Sequence, residues 1–449
     1  MGFRSVLIPI LATSTQPIFM SVTTTTASKE LIVSDIAENI IGSEIIKLAW
    51  EVNDKIKKGE KIYNLTIGDF NPKIFPIPVE LKQEIIAAYQ NDETNYPPAE
   101  GVPELRSAVC HFLKRLHGFD FANDNVIIAC GARPIIYAIY KVLLDPGDTV
   151  IFPVPSWNNN HYVHLSSAKS ILIETKPENN FMPSAADIRK HIKSATLVAL
   201  CSPLNPTGTT LTKEALAEIC DIILEENSSR EAAGKKPVYL MYDQIYWTLT
   251  LGNTKHYDPI TLRPEMKDYT VFVDGISKSF AATGVRVGWG MGPKKVMDKM
   301  KSFLGHMGAW APRPEQMATA RYLMNDKAVD TYLANIRKEI SDRLTGFHKG
   351  FQDLKKEGFK VDSIAPQAAI YLTVQFSLHG QKTADGKTLA STKDVTKYIL
   401  DVAKVALVPF YAFGTSDDSS WYRLSVGTCK LEDVNGIITN LRTALKQLK

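Results

Sequence analysis

Short apolar runs alternate with amphipathic stretches along much of the chain, and this alternation constrains the fold more than any other feature. Val126–Ala129 and Thr149–Phe152 are predicted to be strands, and Pro134–Leu144 between them is predicted to be a helix. The later predicted strands are Ser170–Glu174, Thr196–Cys201, Val238–Tyr242 and Val271–Val273, with a helix over Lys213–Glu225. Such alternation is typical of a mostly parallel sheet with helices on both faces, so the sequence predicts an α/β fold.

The pattern changes beyond about Trp310, where the predicted helices become longer. The elements predicted there are helices over Glu315–Met324 and Val329–Leu354, strands over Ile370–Phe376 and Trp421–Val426, and a closing helix. Because 449 residues far exceed the roughly 100–150 residues of a typical domain, we expect a second, smaller α+β domain. The polar segments Glu226–Lys236 and His379–Ser391 are expected to be surface insertions.

The expected domain boundaries follow from these changes in pattern. Residues 1–30 are predicted to be a disordered tail and residues 31–67 the N-terminal part of the small domain. Residues 68–312 are predicted to form the large domain and residues 313–449 the rest of the small one. The tail is rich in Ser and Thr, and its short apolar run, Val6–Ala12, is interrupted by Pro9. A disordered tail, or a start at Met20, is therefore favoured over a signal or transit peptide.

Composition argues against several classes of function. The net charge of +4 is mild and evenly spread, and no basic run is interleaved with aromatic residues, so nucleic acid is not expected as a partner. No apolar stretch approaches the roughly 20 residues that span a bilayer, so no membrane partner is expected. The five cysteines form no C-x-x-C pair, which favours reduced thiols in a cytoplasmic protein. No metal site is predicted.

Polar residues stand at or just beyond the ends of four predicted strands. Lys278 follows one strand, Asp243 ends another, Asn205 follows a third, and Gly131 connects a fourth to a helix. In open α/β sheets the carboxyl ends of the strands form the ligand-binding edge. The amides before Pro134, in the first helical turn, are available to an anion. Alone, each residue has a simpler explanation as a surface lysine, a helix cap or a turn residue, but together they suit one ligand.

Four motifs occur in order through this part of the chain. They are N-P-T-G at 205–208, D-x-x-Y at 243–246, S-K-x-x-x-x-x-G-x-R-x-G-W at 277–289 and R-L-S-x-G at 423–427. With these motifs the sequence resembles the class I/II aminotransferases of pyridoxal-phosphate fold type I, aspartate aminotransferase-like, from about Asp35 to Lys449. The resemblance implies pyridoxal 5′-phosphate as cofactor, a seven-stranded sheet sandwiched by helices, and a homodimer with shared active sites.

The resemblance implies a role for each residue around the cofactor ring. Lys278 is similar to the family's Schiff-base lysine, which holds the aldehyde and then carries the substrate proton. Asp243 matches the carboxylate that pairs with the pyridine nitrogen and keeps it protonated. Tyr246 and Asn205 match groups that hydrogen-bond the phenolic oxygen, and Asn205 is also expected to face the substrate. Trp157 resembles the aromatic residue that stacks on the ring.

The cofactor phosphate is expected to bind a second group of residues. Arg286 resembles the family's phosphate arginine, because bidentate geometry favours arginine over lysine for an anion. Tyr96 resembles the tyrosine that reaches the phosphate from the neighbouring subunit. The other cofactor-binding residues implied by the resemblance are Gly131, Ala132, Arg133 and Ser277.

The substrate is expected to bind three positions in addition to Asn205. Arg423 resembles the arginine that clamps the α-carboxylate and so orients the Cα–H bond. Gly68 lies where the family has a flexible loop that closes over substrate. Arg133 stands where part of the family has a basic residue that pairs with the distal carboxylate of a dicarboxylic acid, so we expect aspartate or a similar acid. In the other interpretation, Arg133 caps local structure or faces solvent. Residues 310–314 differ from the family, in which this segment is usually rich in Ser and Thr.

The activity that the resemblance implies is transamination by a two-stage ping-pong cycle between an amino acid and a 2-oxo acid such as 2-oxoglutarate. A carbon–sulfur β-lyase on the same scaffold is an alternative, because it would keep Lys278, Asp243 and Arg423. A non-catalytic regulator that binds the cofactor is a third interpretation. It is disfavoured because the chain has no basic helix for an added DNA-binding module.

Overall fold

The computed structural model describes residues 32–40, 42 and 44–449, so the predicted tail over residues 1–30 and its possible targeting role lie outside the described residues. Residues up to Asn39 form a unit of their own, whose described part holds one short helix. Ser34 caps that helix by accepting a hydrogen bond from the Ala37 amide at 3.3 Å. The other described residues, 40, 42 and 44–449, belong to the second unit.

Strands and helices alternate along most of the described chain. The strands are β1 (Tyr63–Asn64), β2 (Val126–Ala129), β3 (Thr149–Val154), β4 (Lys169–Glu174), β5 (Ala195–Cys201), β6 (Tyr239–Asp243), β7 (Thr270–Gly275), β8 (Gly288–Met291), β9 (Val361–Ser363), β10 (Tyr371–Phe376), β11 (Val405–Ala406), β12 (Val408–Pro409) and β13 (Trp421–Ser425). The α-helices are α1 (Asp35–Glu38), α2 (Glu44–Lys57), α3 (Val79–Gln90), α4 (Pro103–His117), α5 (Ala132–Leu143), α6 (Asn159–Leu165), α7 (Ala185–Arg189), α8 (Lys213–Ala232), α9 (Pro259–Leu262), α10 (Ile276–Ser279), α11 (Lys294–Met307), α12 (Arg313–Leu323), α13 (Asp326–Lys356), α14 (Thr392–Tyr398) and α15 (Asp433–Leu445).

The large sheet has seven strands in the order β2-β8-β7-β6-β5-β3-β4. Strands β3 to β7 run parallel, while β8 lies antiparallel to both β7 and β2. Successive residues of a strand face opposite sides of a sheet, and here Met241 and Tyr242 of β6 belong to hydrophobic clusters on opposite faces. Helices cover both faces, so the predicted α/β class with a mostly parallel sheet is confirmed.

Strand β8 was not predicted, because its sequence is rich in glycine, which disfavours strands. The glycines allow close approach instead. A Cβ placed on Gly288 would lie 2.5 Å from the carbonyl carbon of Gly131. The absence of a side chain at this position therefore lets the turn before α5 lie directly against β8.

The segment Glu226–Lys236, predicted to be a surface insertion, is mostly exposed, but it is helical rather than an inserted loop for most of its length. Helix α8 continues to Ala232. The side chain of Asn227 is buried and exchanges two hydrogen bonds with the backbone of Val238, at 2.9 and 2.7 Å. Because this pairing ties the end of the helix to the start of β6, the polar sequence remains helical. The other predicted insertion, His379–Ser391, contains no helix and no strand of the sheets.

The C-terminal part holds an antiparallel sheet in the order β12-β13-β10-β9, with helices α13 and α15 around a separate hydrophobic cluster. Strand β1 pairs with β11 in the same part. Along α13, Val329 and Leu333 pack in the cluster of the large sheet, whereas Ile336 packs in that of the small sheet. Helix α12 packs against α3 and α4. The domain boundaries expected at residues 67 and 312 stay a prediction.

The parallel strands bring the predicted functional residues to one edge of the sheet. Cys201 at the end of β5 is in register with Asp243 at the end of β6. Strand β7 ends at Gly275, and the single turn of α10 then carries Lys278. Among the described residues, no helix has the length and apolar character needed to cross a bilayer.

A largely buried histidine pair, His117 and His256, predicts acid sensitivity of the fold. The ring centroids of His117 and His256 are 5.0 Å apart, and burial lowers the pKa of His256 well below its ordinary value of 6.5. Below pH 6.5 the unfolded chain therefore binds a proton that the folded chain excludes, and stability falls as pH falls. In urea titrations at pH 7.5 and 5.5, we expect His256→Gln to reduce this pH dependence by up to about 1.4 kcal/mol per pH unit. The exposed His306→Gln serves as control, and equal slopes in the wild-type protein and His256→Gln would contradict the assignment.

Candidate active site

A cavity of about 650 Å³ opens at the carboxyl ends of β5 and β6 and at the start of α5. It brings together all the predicted site residues except Gly131 and Tyr96. The predicted residues that line it are Gly68, Ala132, Arg133, Trp157, Asn205, Asp243, Tyr246, Ser277, Lys278, Arg286 and Arg423. These residues come from many points along the chain, so their convergence results from the topology of the sheet.

Lys278 projects into the cavity from α10. Its Nζ donates a hydrogen bond to the carbonyl oxygen of Gly68 at 2.7 Å. Burial is the main cause that lowers the pKa of Lys278 to about 8; the carboxylate of Asp69 opposes this lowering, and the nearby cations Arg423, Arg133 and Arg286 contribute to it. An appreciable share of this amine is therefore neutral near pH 7–8, which is the form able to attack a carbonyl carbon.

Asp243 closes strand β6 and accepts a hydrogen bond from the Ile245 amide at 3.0 Å. Burial raises the pKa of this carboxyl to about 6, while the Ile245 amide and the Cys201 thiol oppose the increase by hydrogen bonding. The group is therefore ionised above pH 6, where it can pair with a cationic partner in the cavity.

Two neutral groups face the same space. The hydroxyl of Tyr246 lies 2.7 Å from the hydroxyl of Tyr371, and burial raises the pKa of Tyr246 well above its usual value. Tyr246 thus keeps its proton and can donate it in a hydrogen bond. The side-chain oxygen of Asn205 accepts from Nη1 of Arg423 at 2.9 Å, which orients its amide nitrogen for other acceptors.

A glycine and an arginine lie side by side at the start of α5. Gly131 has φ +96° at the N-cap position, and a Cβ placed there would lie 2.1 Å from Nη2 of Arg286. The guanidinium is held by the carbonyl oxygens of Thr283 at 2.6 Å and Cys130 at 2.9 Å. Helix N-terminal amides and a fixed guanidinium are suited to a phosphate.

Arg133, in the first turn of α5, faces the cavity. Its guanidinium carbon lies 4.6 Å from the centre of a Trp157 ring, within the range of a cation–π contact. This contact places a positive charge beside the aromatic wall of the cavity.

Arg423 supplies a second fixed cation. It is 2% exposed, and its Nη2 donates to the carbonyl oxygen of Thr66 at 2.6 Å. The rings of Tyr371 and Phe413 lie 4.7 and 5.0 Å from its guanidinium carbon. Its Nε is buried and has no hydrogen-bond partner within the part of the chain that the structure describes. A buried, unpartnered donor on a charged group is costly, so this side chain is suited to receive an anionic ligand.

Several lining residues were missed by the sequence analysis. Asp69 accepts from Thr283 Oγ1 at 2.7 Å and opposes the lowering of the Lys278 pKa. Tyr371 contacts both Tyr246 and Arg423. The apolar residues Ile45, Ile46 and Ala49 of α2 also line the cavity. Only the position of Tyr371 had a usable signal, because it lies in the predicted strand Ile370–Phe376.

Tyr96 lies outside this cavity. It is 82% exposed, and its ring packs edge-on against Trp310 with centroids 5.3 Å apart. Both residues line a second, more open pocket with Arg313. The expectation that Tyr96 reaches the active site of a neighbouring subunit stays a prediction.

The donor set of the large cavity fits pyridoxal phosphate. The glycine turn and the guanidinium of Arg286 match a phosphate, and the Lys278 amine matches an aldehyde. The Asp243 carboxylate matches a protonated ring nitrogen, and Trp157 offers an aromatic face. Each end of the cofactor would therefore meet a group of complementary chemistry.

Comparisons with known proteins agree with this chemistry. A family model described as aminotransferase class I and II matches residues 60–441. A probable aspartate/prephenate aminotransferase from Rickettsia felis is 30% identical over 83% of this chain and 86% of that protein. An aspartate aminotransferase from Pyrococcus horikoshii is 29% identical over 88% of this chain and 93% of that protein.

Solved structures show the same likeness. The aspartate aminotransferase from Rhizobium meliloti superimposes with a TM-score of 0.85 at 25% identity and covers 93% of this chain and 100% of that one. The aspartate aminotransferase from Thermus thermophilus with maleate gives a TM-score of 0.80 at 25% identity and covers 92% and 100%.

Proposed function

The chain belongs to the aminotransferase class I and II family, and from that premise we propose that its amino donor is an acidic L-amino acid. The protein is a pyridoxal-phosphate-dependent transaminase of fold type I. We propose aspartate or another dicarboxylic acid as donor and a 2-oxo acid such as 2-oxoglutarate as acceptor. A ping-pong cycle uses one site for both substrates in turn.

The observation that carries this substrate proposal is the presence of two cations in one cavity. Arg423 is buried with an unpartnered Nε, and Arg133 is held against Trp157. Two arginines suit the two carboxylates of a dicarboxylic acid, because each guanidinium can bind one carboxylate through paired hydrogen bonds. The relatives named for aspartate and the neighbouring structure with maleate, a dicarboxylate, support the same substrate class.

The predicted roles around the ring form part of this proposal. Lys278 would hold the cofactor aldehyde, Asp243 would pair with the ring nitrogen, and Trp157 would stack on the ring. Tyr246 and Asn205 would hydrogen-bond the phenolic oxygen. The pKa of Asp243, raised by burial to about 6, supports its role because the carboxylate form predominates at neutral pH.

The phosphate would bind the turn at Gly131 and Ala132, together with Arg286 and Ser277. We assign Arg133 to the substrate side of this turn, because its guanidinium lies over Trp157 while Arg286 already lies against Gly131. The close approach of Arg286 to Gly131 supports the phosphate site, since it places the guanidinium beside the first amides of α5.

Pyridoxal phosphate supplies an electron-withdrawing ring that accepts the electron pair released at the substrate Cα. The protein residues position that bond and move its proton. Arg423 would bind the α-carboxylate and so fix the direction of the Cα–H bond. Lys278, once its amine is free, would take the proton as a base, which its lowered pKa of about 8 favours. Gly68, whose carbonyl accepts from Lys278, would close over the substrate.

We also propose that the protein acts as a cytoplasmic homodimer with shared active sites. The exposed Tyr96, packed on Trp310 beside an open pocket that both residues line, supports a second copy at this face, because exposed apolar surface marks interaction sites. All five cysteines are free, which suits a reducing compartment.

Arg133→Gln tests the substrate class. We expect kcat/KM for aspartate to fall about 10- to 100-fold, because a charge-assisted pair is lost, while kcat/KM for alanine changes little. Steady-state assays with 2-oxoglutarate measure both. Arg189→Gln, an exposed arginine paired with Glu225, is the control. An equal loss for aspartate and alanine would show that Arg133 does not select the distal carboxylate. The β-lyase alternative is tested in parallel by adding cystathionine, from which we expect no release of pyruvate.

A further inference from the structure

The hydroxyl of Tyr371 lies among three groups of the proposed active site. Tyr371 begins strand β10 and is 1% exposed. Its hydroxyl oxygen is 2.7 Å from that of Tyr246, and the two rings meet edge-on with centroids 5.5 Å apart. Its ring lies 4.7 Å from the guanidinium carbon of Arg423. A Cβ placed on Gly68 would lie 2.8 Å from the Tyr371 hydroxyl.

The backbone holds Tyr371 firmly in this position. In the antiparallel pairing of β10 with β13, Tyr371 is opposite Ser425 and Thr373 is opposite Arg423. Residues two apart on a strand face the same side of the sheet. Tyr371 and Arg423 are therefore diagonal neighbours on one face, and the arginine guanidinium reaches the aromatic ring across that diagonal.

The contact between two phenols has a direction. In a single hydrogen bond between hydroxyls, one oxygen donates and the other accepts. If Tyr246 accepts from Tyr371, its own proton remains free to donate to a ligand. Burial raises the pKa of both phenols, so both protons are retained across the neutral pH range. Chains of hydrogen bonds strengthen one another, so donation from Tyr371 makes Tyr246 a stronger donor.

We propose that Tyr371 is a positioning residue that acts through two neighbours. Its hydroxyl donates to Tyr246, which then donates to the phenolic oxygen of the cofactor, and its ring holds the Arg423 guanidinium against the substrate carboxylate. This inference rests on the roles proposed for Tyr246 and Arg423. The hydroxyl and the ring of Tyr371 would have separate functions, which two substitutions can distinguish.

Tyr371→Phe removes the hydroxyl and keeps the ring. The proton that titrates in the cofactor chromophore is shared with the phenolic oxygen of the cofactor. When Tyr246 donates a hydrogen bond to that oxygen, the oxygen binds the shared proton less strongly. Weaker donation should therefore raise the midpoint of the pH titration of chromophore absorbance, by about 0.3 to 1 unit. The KM for the amino acid should stay within about twofold, since the cation–π contact is kept.

Tyr371→Leu removes both the hydroxyl and the ring. We expect the same upward shift of the chromophore midpoint, together with a rise of about 3- to 30-fold in KM for the amino acid. Tyr398→Phe is a matched control, because it removes another buried hydroxyl, bonded to the carbonyl oxygen of Ala444 at 2.7 Å. Cofactor content and circular dichroism of each holoenzyme confirm folding.

The double variant Tyr246→Phe/Tyr371→Phe tests whether Tyr371 acts on the cofactor through Tyr246. Tyr246→Phe alone should raise the chromophore midpoint by more than Tyr371→Phe does, and adding Tyr371→Phe to it should cause no further shift. An unchanged midpoint in Tyr371→Phe with bound cofactor, or an equal shift with and without Tyr246, would overturn the proposal. The chromophore midpoints do not depend on which amino acid is the donor. A failure of the acidic substrate proposal, seen as no turnover of aspartate, therefore remains distinguishable from a failure of this one.

Discussion

Replacing Lys278 with alanine should reduce transamination by at least about 10⁴-fold, because the variant loses both the amine that holds the cofactor and the base that moves the proton. Lys278→Arg should be equally inactive, since a guanidinium stays protonated at all useful pH values. The measurement is kcat with aspartate and 2-oxoglutarate, supported by the absorbance of the bound cofactor.

The pKa of about 8 of the Lys278 amine also predicts how cofactor capture depends on pH. In the cofactor-free protein, the share of neutral Lys278 amine rises as pH approaches 8 and changes little well above it. The rate at which the protein captures added pyridoxal phosphate should rise accordingly. Lys295→Ala, an exposed lysine on α11, is the control and should behave as the wild type. If Lys278→Ala kept more than a tenth of the wild-type rate, the assignment of the lysine would be wrong.

Replacing Asp243 with asparagine should lower kcat by about 10²- to 10⁴-fold, because the neutral amide no longer stabilises a protonated ring nitrogen. Asp243→Glu keeps the charge and should retain more activity than the asparagine variant. The wild-type carboxyl has a pKa of about 6, raised by burial, so its charged form is lost as pH falls through 6. Affinity of the cofactor-free protein for pyridoxal phosphate should weaken over the same range.

The control for this substitution is Asp298→Asn, which removes an exposed carboxylate paired with Lys294. It should leave kcat and cofactor affinity unchanged. If Asp243→Asn retained kcat within about threefold of the wild type, the pairing of this carboxylate with the ring nitrogen would be refuted.

The large domain could be predicted well from sequence because its strands are apolar runs separated by turn residues. Parallel strands place their carboxyl ends at one edge, so Asp243 and Lys278 could be expected together before any coordinates were known. The register of Cys201 with Asp243 shows the same geometry in the structure. The sequence motifs added the identity of the ligand.

The elements that escaped prediction depend on long-range contacts. Strand β8 has glycines where a strand usually has branched residues, and its pairing partners are distant in sequence. The end of α8 is fixed by the bonds of Asn227 to Val238 rather than by propensity. The contact of Tyr371 with Tyr246 joins residues 125 positions apart. The partner role of Tyr96 concerns a second chain, which the residues of one chain do not define.

The half-reaction of the purified holoenzyme with L-aspartate, without a 2-oxo acid, tests directly whether the protein transfers the amino group of an acidic amino acid to its cofactor. We expect the cofactor absorbance to change to that of its amino form, with release of one oxaloacetate per active site, and 2-oxoglutarate then to restore the original spectrum. A panel of neutral and aromatic L-amino acids measured in the same way should give slower changes. The absence of any spectral change with aspartate and with every other amino acid of the panel would contradict transamination by this protein.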